Sequence, residues 1–314
     1  MTTEKCYFCY LPLAGEAGHF HAKCSRKIFG TPEPPEFNFT PELINELAKE
    51  FLGRHKGITG VQPKLSLDEE RSSGKKRRLT VVGLWGKYVF KPPVKMYPGV
   101  TANEDLTMRL AEMSGIRTAE HSLVPFAADE PAYISPRFDR ESGIKLHMED
   151  MAQLSEVSTS RKYRSSLEKV GKLIKKYSDQ VGDDLMRFYE LNLFCFLTGN
   201  SDMHLKNFSL ICDSRNEIRL SPAYDLLNTK LLIPDDTEEF ALTMNGKKSR
   251  FKMEDFAVFA ESLSVSPKQQ QTIHEQFYSH RDQWKEVIGR SFLPEWQKDG
   301  YLEIVNERFK RLFP

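Results

Sequence analysis

Thr198-Gly199-Asn200-Ser201-Asp202-Met203-His204-Leu205-Lys206-Asn207-Phe208 follows a segment, 185–197, that is apolar almost all round. A helix hydrophobic on every side is a buried helix, and Gly199 is placed to end it in the left-handed conformation. Phe208-Ser209-Leu210-Ile211 then has strand character and leads through a turn to Ser221-Pro222-Ala223-Tyr224-Asp225. Asp202 and His204 are therefore expected on a loop fixed to the core. An aspartate, an asparagine five positions on and a second aspartate beyond suit phosphoryl transfer from ATP. One carboxylate takes the proton of the acceptor hydroxyl, while an amide carbonyl and another carboxylate hold magnesium against the phosphates. Asp202 is the candidate base, and Asn207 and Asp225 are the candidate metal ligands. Asp and Asn also populate ordinary turns; attachment to a buried helix is what favours the chemical reading.

Phosphate contacts must come from elsewhere, because no Walker A pattern and no complete Gly-x-Gly-x-x-Gly occurs. Gly57-Ile58-Thr59-Gly60-Val61-Gln62-Pro63-Lys64 has two glycines that let backbone amides approach a polyphosphate, with Thr59 and Gln62 adding side-chain hydrogen bonds. Lys91 ends a strand before Pro92-Pro93, a position from which its ammonium could reach the α- and β-phosphates. Thr101-x-x-Glu104 reads as a capping box, which accounts for Glu104 structurally, although a helix glutamate can also pair with such a lysine.

The 314 residues suggest two lobes around a cleft, and 45 basic against 44 acidic residues, a net charge of +1, give no global attraction for nucleic acid. No apolar run is long enough to span a bilayer and no secretory N-terminus is evident, so a cytoplasmic location is expected. Five cysteines, an odd number, argue against a disulfide framework. Cys6, Cys9, His21 and Cys24 could instead form a tetrahedral, structural zinc site, the alternative being a small extension with free thiols. A proline-rich linker, 30–38, leads to a helix with Thr40 as N-cap and Pro41 at its first position, Leu43, Ile44, Leu47, Ala48 and Phe51 on one face, and Gly53 as its stop. Strands are expected at 65–67, 79–82 and 87–91. The charged run 71–78 between the first two reads as a solvated hairpin loop. Apolar spacing predicts helices over 251–263, 267–289 and 295–312, with Arg308, Lys310 and Arg311 favouring the last helix dipole.

The run Asn200-x-Asp202-x-His204-x-Lys206-Asn207-Phe208, the segment 221–226 and Gly60-Val61-Gln62-Pro63-Lys64 together resemble the HipA-type toxin kinases. Asn103-Glu104, Pro136-Arg137-Phe138-Asp139-Arg140 and His147-Met148-Glu149-Asp150 extend the resemblance over 57–229 in order. Only about fifty residues precede the glycine-rich segment, which brings the chain closest to HipT of the three-gene HipBST systems. There a separate small protein, HipS, stands in for an N-terminal subdomain beside the DNA-binding HipB. The resemblance implies an α+β, two-lobed, protein-kinase-like (HipA-like) fold. Its parts would be a Cys/His-containing extension over 1–35, a small lobe with the glycine-rich ATP loop over 36–138, and a helical large lobe over 139–314. It further implies ATP and Mg2+ as ligands. ATP contacts fall on Thr59, Gly60, Val61, Gln62, Lys64, Lys91, Arg137, Phe138, His204, Asn207, Tyr224 and Asp225, with Arg137-Phe138 as the connection whose backbone meets adenine. Such kinases autophosphorylate in the loop; Gly57 and Thr59 stand where HipT proteins present two serines, so Thr59 is the sole acceptor there. The implied reaction is serine/threonine phosphorylation that stops growth, with an aminoacyl-tRNA synthetase as target. HipS-like and HipB-like partners are implied, and DNA is met only through the antitoxin. Two other readings compete: a catalytically silent binding subunit of a HipB/HipS-type DNA-bound complex, and a metal hydrolase using Asp202, His204 and Asp225. The first has no need of Lys91, Asp202, Asn207 and Asp225 together; the second leaves Lys91 and the glycine loop without a task.

Overall fold

A computed structural model describes residues 5–15, 18–37, 39–40, 42–43, 62–70, 77–82, 86–126, 130–141 and 143–313. The chain divides into two units: 1–106, 119–138 and 290–294 form one, and 107–118, 139–289 and 295–314 the other.

In the first unit, helix α1 (Ala22–Phe29) stops at Gly30, whose φ of 72° is the left-handed conformation of a helix end. Strands β1 (Leu65–Glu70), β2 (Arg78–Val82) and β3 (Tyr88–Lys91) lie where branched and aromatic residues alternate with polar ones. They are followed by helix α2 (Val100–Met113), whose residues from Thr107 on are counted with the second unit, and by β4 (Ser122–Val124) and β5 (Ala132–Pro136). All five strands join one antiparallel sheet in the order β2-β1-β3-β5-β4. The register sets Leu65 against Phe90 and Leu67 against Tyr88, and all four are buried. This is the period-2 pattern of a sheet with one face on a core. Phe29, Phe39 and Phe126 pack rings against Tyr88 or Phe90.

Thr40 caps as expected, its Oγ1 accepting the Leu43 N–H at 3.3 Å; the remainder of that helix lies outside the described residues. So do residues 71–76 of the charged run. Arg77, at its end, departs from the solvated-loop expectation. Its guanidinium donates to Glu69 Oε2 at 2.9 Å and to the Glu33 carbonyl at 3.0 Å, tying the linker to β1.

The second unit opens with the two-residue strands β6 (Arg140–Glu141) and β7 (Ile144–Lys145), then β8 (Met148–Asp150) and helix α3 (Met151–Leu154). Helices α4 (Leu167–Tyr177) and α5 (Val181–Leu197) follow, then β9 (Ser209–Cys212), β10 (Ile218–Leu220) and α6 (Thr229–Leu232). The last three helices are α7 (Met253–Ser262), α8 (Pro267–Arg290) and α9 (Glu295–Leu312). They fall where the apolar spacing places them.

Helix α5 is buried on every side along its second half, with Phe188, Phe194 and Phe196 fully enclosed. Phe208, Phe256 and Trp284 pack edge-on against these three rings. Each such ring removed from water contributes about 1.5–3 kcal/mol, which makes this helix a rigid base for the loop that follows it. The last turn of α9 differs from expectation. Arg308 and Arg311 converge on the carboxylate of Glu239 instead of only complementing the helix dipole. Against burial, which alone would raise it, the Arg311 and Arg308 guanidinium groups hold the Glu239 carboxyl below its usual value. No helix among the described residues is long and apolar enough to cross a membrane, and the five cysteines are all free thiols.

Candidate active site

In the first unit, Lys91 closes β3 with its ammonium 2.5 Å from Glu104 Oε1 and 5.3 Å above the Tyr133 ring. The two residues are only 4% and 1% exposed. Buried charges of this kind persist only when paired. The capping-box reading of Glu104 is thereby corrected. Thr101 and Glu104 both lie inside α2, and the Thr101 hydroxyl donates to the Pro131 carbonyl at 2.7 Å. The pairing of a strand lysine with a helix glutamate was the signal that could have found it.

Gln62 donates its side-chain amide to the Pro92 carbonyl at 2.8 Å, pinning the end of the glycine-rich segment beside Lys91. Lys64 is exposed. Gly57, Thr59, Gly60 and Val61 lie outside the described residues. Arg137 donates its backbone N–H to the Lys87 carbonyl at 2.8 Å, prolonging the β3–β5 ladder, so that N–H is taken up by the sheet instead of being offered to adenine. Phe138 is half-buried.

In the second unit, α5 ends as the sequence indicates. Gly199 has φ 69°, and a Cβ there would stand 2.9 Å from both Asn228 Oδ1 and Ile304 Cγ2, so the turn requires glycine on two counts. The next residues are held by backbone and side chain together. Asn200 Oδ1 accepts the Asp202 N–H at 3.2 Å, and the Ser201 N–H donates to Thr229 Oγ1 at 2.7 Å. The Asn207 side-chain amide donates to the Asp202 carbonyl at 3.2 Å. That bond engages the nitrogen end of Asn207 and leaves its Oδ1 as the end able to face a cation.

Tyr224 was expected among the ATP contacts. Its hydroxyl donates to the Lys206 carbonyl at 2.9 Å and meets Ser209 Oγ at 2.6 Å, so it braces the Asp225 segment against the Asp202 loop. Asp225 itself holds φ 61°. A non-glycine residue in this region stores strain of about 1–3 kcal/mol, and such strain clusters at functional sites. Asn207 and Asp225 present an amide oxygen and a carboxylate, the hard oxygen donors that magnesium prefers, so the donor set fits the ion.

Two side chains that sequence reading passed over touch this loop. Tyr163 donates its hydroxyl to Asp202 Oδ1 at 2.9 Å, and Lys162 Nζ lies 2.6 Å from His204 Nε2. An ammonium only donates, so Nε2 accepts and the ring proton belongs on Nδ1. His204 is 6% exposed and orders the loop. Tyr163 and Lys162 sit in a polar segment without periodicity, which offers no sequence signal.

At the N-terminus the ligand atoms of Cys6, Cys9, His21 and Cys24 all lie within 4.8 Å of one another. The Cys9 thiol hydrogen bond pulls the Cys6 thiol well below its ordinary value against burial, while Cys9 is raised.

A buried strand-lysine and helix-glutamate pair, with an Asp/Asn/Asp set on braced loops, are side-chain types of the protein-kinase-like class. The chain belongs to the family of HipA-like C-terminal domains, whose profile matches residues 57–284. It is 25% identical over 286 residues to a candidate kinase of Haemophilus influenzae, covering 81% of each protein. It is 31% identical over 224 residues to the candidate kinase Y4dM of Sinorhizobium fredii, covering 67% of this chain and 54% of that one. With the serine/threonine-protein kinase toxin HipA of Shewanella oneidensis it shares 27% over 197 residues, 55% of this chain and 43% of HipA. The chain thus spans about half the length of these last two relatives.

Among solved structures, a chain of the Shewanella oneidensis complex of HipA, HipB and operator DNA superposes with a TM-score of 0.66 at 23% identity, covering 82% of this chain and 65% of that one. The Helicobacter pylori proinflammatory kinase CtkA gives a TM-score of 0.53 at 17% identity, covering 72% of this chain and 87% of that one. The fold is that of the HipA and CtkA kinases, a mixture of helix and sheet.

Proposed function

We propose that the chain is an ATP-dependent serine/threonine protein kinase of a toxin-antitoxin system, of the HipT kind, with a two-lobed arrangement. The observation that carries this reading is the buried Lys91–Glu104 pair. A silent binding subunit gains nothing from two charges held out of water, whereas a kinase needs a fixed ammonium for the α- and β-phosphates. Asp202 orients and deprotonates the acceptor hydroxyl. Asn207 Oδ1 and the Asp225 carboxylate would hold magnesium, which when bound would neutralise charge developing on the phosphates. Asn207 and Tyr224 keep these groups in place through the Asp202 and Lys206 carbonyls, so little reorganisation accompanies the reaction.

By family resemblance, the segment 57–64 is the proposed lid over the phosphates, with Thr59 as the proposed additional acceptor. The cellular target proposed from family resemblance is an aminoacyl-tRNA synthetase, in the cytoplasm. HipS-like and HipB-like proteins are the proposed partners. The Shewanella likeness, a complex with HipB and operator DNA, supports the HipB-like one. Contact with DNA is proposed to be only through the antitoxin, in keeping with a near-zero net charge that offers no global attraction for nucleic acid.

Expression in a bacterial host tests this. The wild-type chain is expected to arrest growth, and Asp202→Asn and Asp225→Asn each to abolish arrest while folding normally. Full toxicity in either folded variant would overturn the kinase reading.

A further inference from the structure

The N-terminal cluster has the ligand set and the local hydrogen bonding of a metal knuckle. The Cys6 N–H donates to the Leu11 carbonyl and the Tyr10 N–H to the Cys6 carbonyl, both at 2.9 Å, folding Cys6 and Cys9 into one tight turn. His21 sits at the N-cap of α1 and Cys24 in its first turn. The Cys24 N–H donates to the His21 carbonyl at 2.9 Å. The His21 ring lies with Nε2 3.0 Å from the Pro12 carbonyl and Nδ1 3.3 Å from Cys9 Sγ. A carbonyl only accepts, so Nε2 carries the proton and the Nδ1 lone pair faces the thiols. This outer hydrogen bond is the kind that fixes a metal-binding histidine. Three sulfurs and one nitrogen within 4.8 Å match a closed tetrahedral zinc site, whose bonds of about 2.0–2.3 Å place ligand atoms about 3.5–4 Å apart.

The residue after Cys9 leads away from the cluster. Tyr10 is 1% exposed and held at φ 63°. Its hydroxyl donates to Asp105 Oδ2 at 2.5 Å. The other oxygen of Asp105 meets His121 Nδ1 at 2.6 Å. The His121 ring stacks on Tyr133 with centroids 6.0 Å apart and an interplanar angle of 9°. Tyr133 in turn lies under the Lys91 ammonium, and Asp105 neighbours Glu104 on α2. The path therefore returns to both members of the Lys91–Glu104 pair, within a single unit of the chain.

We propose that Cys6, Cys9, His21 and Cys24 bind one zinc ion, and that the loaded knuckle positions α2 and the Lys91–Glu104 pair through Tyr10 and Asp105. Nucleotide affinity then depends on the metal. Tyr10 and Asp105 are positioning residues. The affinity half rests on the reading of Lys91 as a phosphate ligand; the metal half and the order of α2 do not.

The test uses the full purified chain as isolated, stripped by a chelator, and reloaded with zinc or cobalt(II). Metal analysis is expected to find one zinc per chain, lost in Cys6→Ser, and cobalt is expected to give the visible absorption of a tetrahedral thiolate site. Hydrogen exchange over 100–113 is expected to accelerate in the stripped protein and in Tyr10→Phe, which keeps its zinc. ATP affinity is expected to fall by roughly 5- to 20-fold in both. Ile273→Ala, a core variant in α8 outside both the knuckle and the path, is expected to keep normal affinity. Metal-free protein of normal stability would overturn the site. A zinc-loaded Tyr10→Phe with wild-type exchange in α2 would overturn the coupling. Failure of the zinc-loaded wild type to bind ATP would overturn the kinase reading instead, with hydrogen exchange still deciding the coupling.

Discussion

The hydroxyl of Tyr163 reaches Asp202 Oδ1 at 2.9 Å, the kind of contact an acceptor hydroxyl would make with a catalytic base. Burial, then the Asp202 carboxylate, push this phenol above its ordinary pKa, so it stays a donor across the physiological range. On the proposed reading of Asp202 as the base, it competes with the acceptor hydroxyl for this carboxylate. Releasing one such bond is worth about 1 kcal/mol, so Tyr163→Phe should raise phosphoryl transfer roughly 2- to 5-fold; steady-state assays showing unchanged or lower transfer would refute the competition. The Lys91–Glu104 pair gives a second residue-scale prediction. Lys91→Met strands a buried carboxylate and should destabilise by about 3–5 kcal/mol. The double variant with Glu104→Leu should recover most of that stability without recovering ATP binding. Chemical denaturation and nucleotide titration on the same samples separate the two. If the double variant bound ATP normally, the pair would be structural only.

Helix α5 carries both the proposed catalytic loop and a titrating group of its own. Burial raises the Glu190 carboxyl to about 7, against the smaller opposing pull of Arg187. The folded state thus holds this proton more tightly than the unfolded chain does. Its stabilising effect is complete below the unfolded value near 4.5 and is lost as pH rises through about 7. Glu190→Gln, which mimics the protonated form, should therefore stabilise the protein at pH 8 by about 1–3 kcal/mol and matter little at pH 5. Denaturation at the two pH values checks this, and equal effects at both would contradict it.

The same helix shows why some elements were legible. Its all-round apolarity and its glycine stop are local signals, as are the heptad-like spacings of α7 to α9 and the Cys/His spacing of the knuckle. Strands β4 and β5 were missed because three- and five-residue strands carry too few alternations to stand out from loop. Glu104, Tyr163, Arg77 and Arg308 were misread or overlooked because each is defined by a partner distant in sequence. Lys91 pairs across a strand-to-helix connection, and Glu239 meets Arg308 and Arg311 from 69 and 72 residues away. Local pattern cannot encode such partners.

At the scale of the whole molecule, each unit holds one part of the chemistry. Lys91 and Glu104 belong to the first, and Asp202, Asn207 and Asp225 to the second. If Thr59 belongs to the proposed lid over the phosphates, a phosphate on it would add roughly −1.5 to −2 charges beside those of ATP and should lower activity. Thr59→Ala should then lose loop phosphorylation, seen by phosphopeptide mapping, yet remain toxic and still be restrained by a HipS-like partner. Loop phosphate persisting in that variant would contradict this assignment.

The most direct test of the account is transfer of label from γ-32P-ATP with Mg2+ by the purified chain, followed by phosphoamino acid analysis. The account predicts phosphoserine or phosphothreonine that vanishes in folded Asp202→Asn and Asp225→Asn. Label undiminished in those variants, or ATP bound without any transfer to protein, would contradict it.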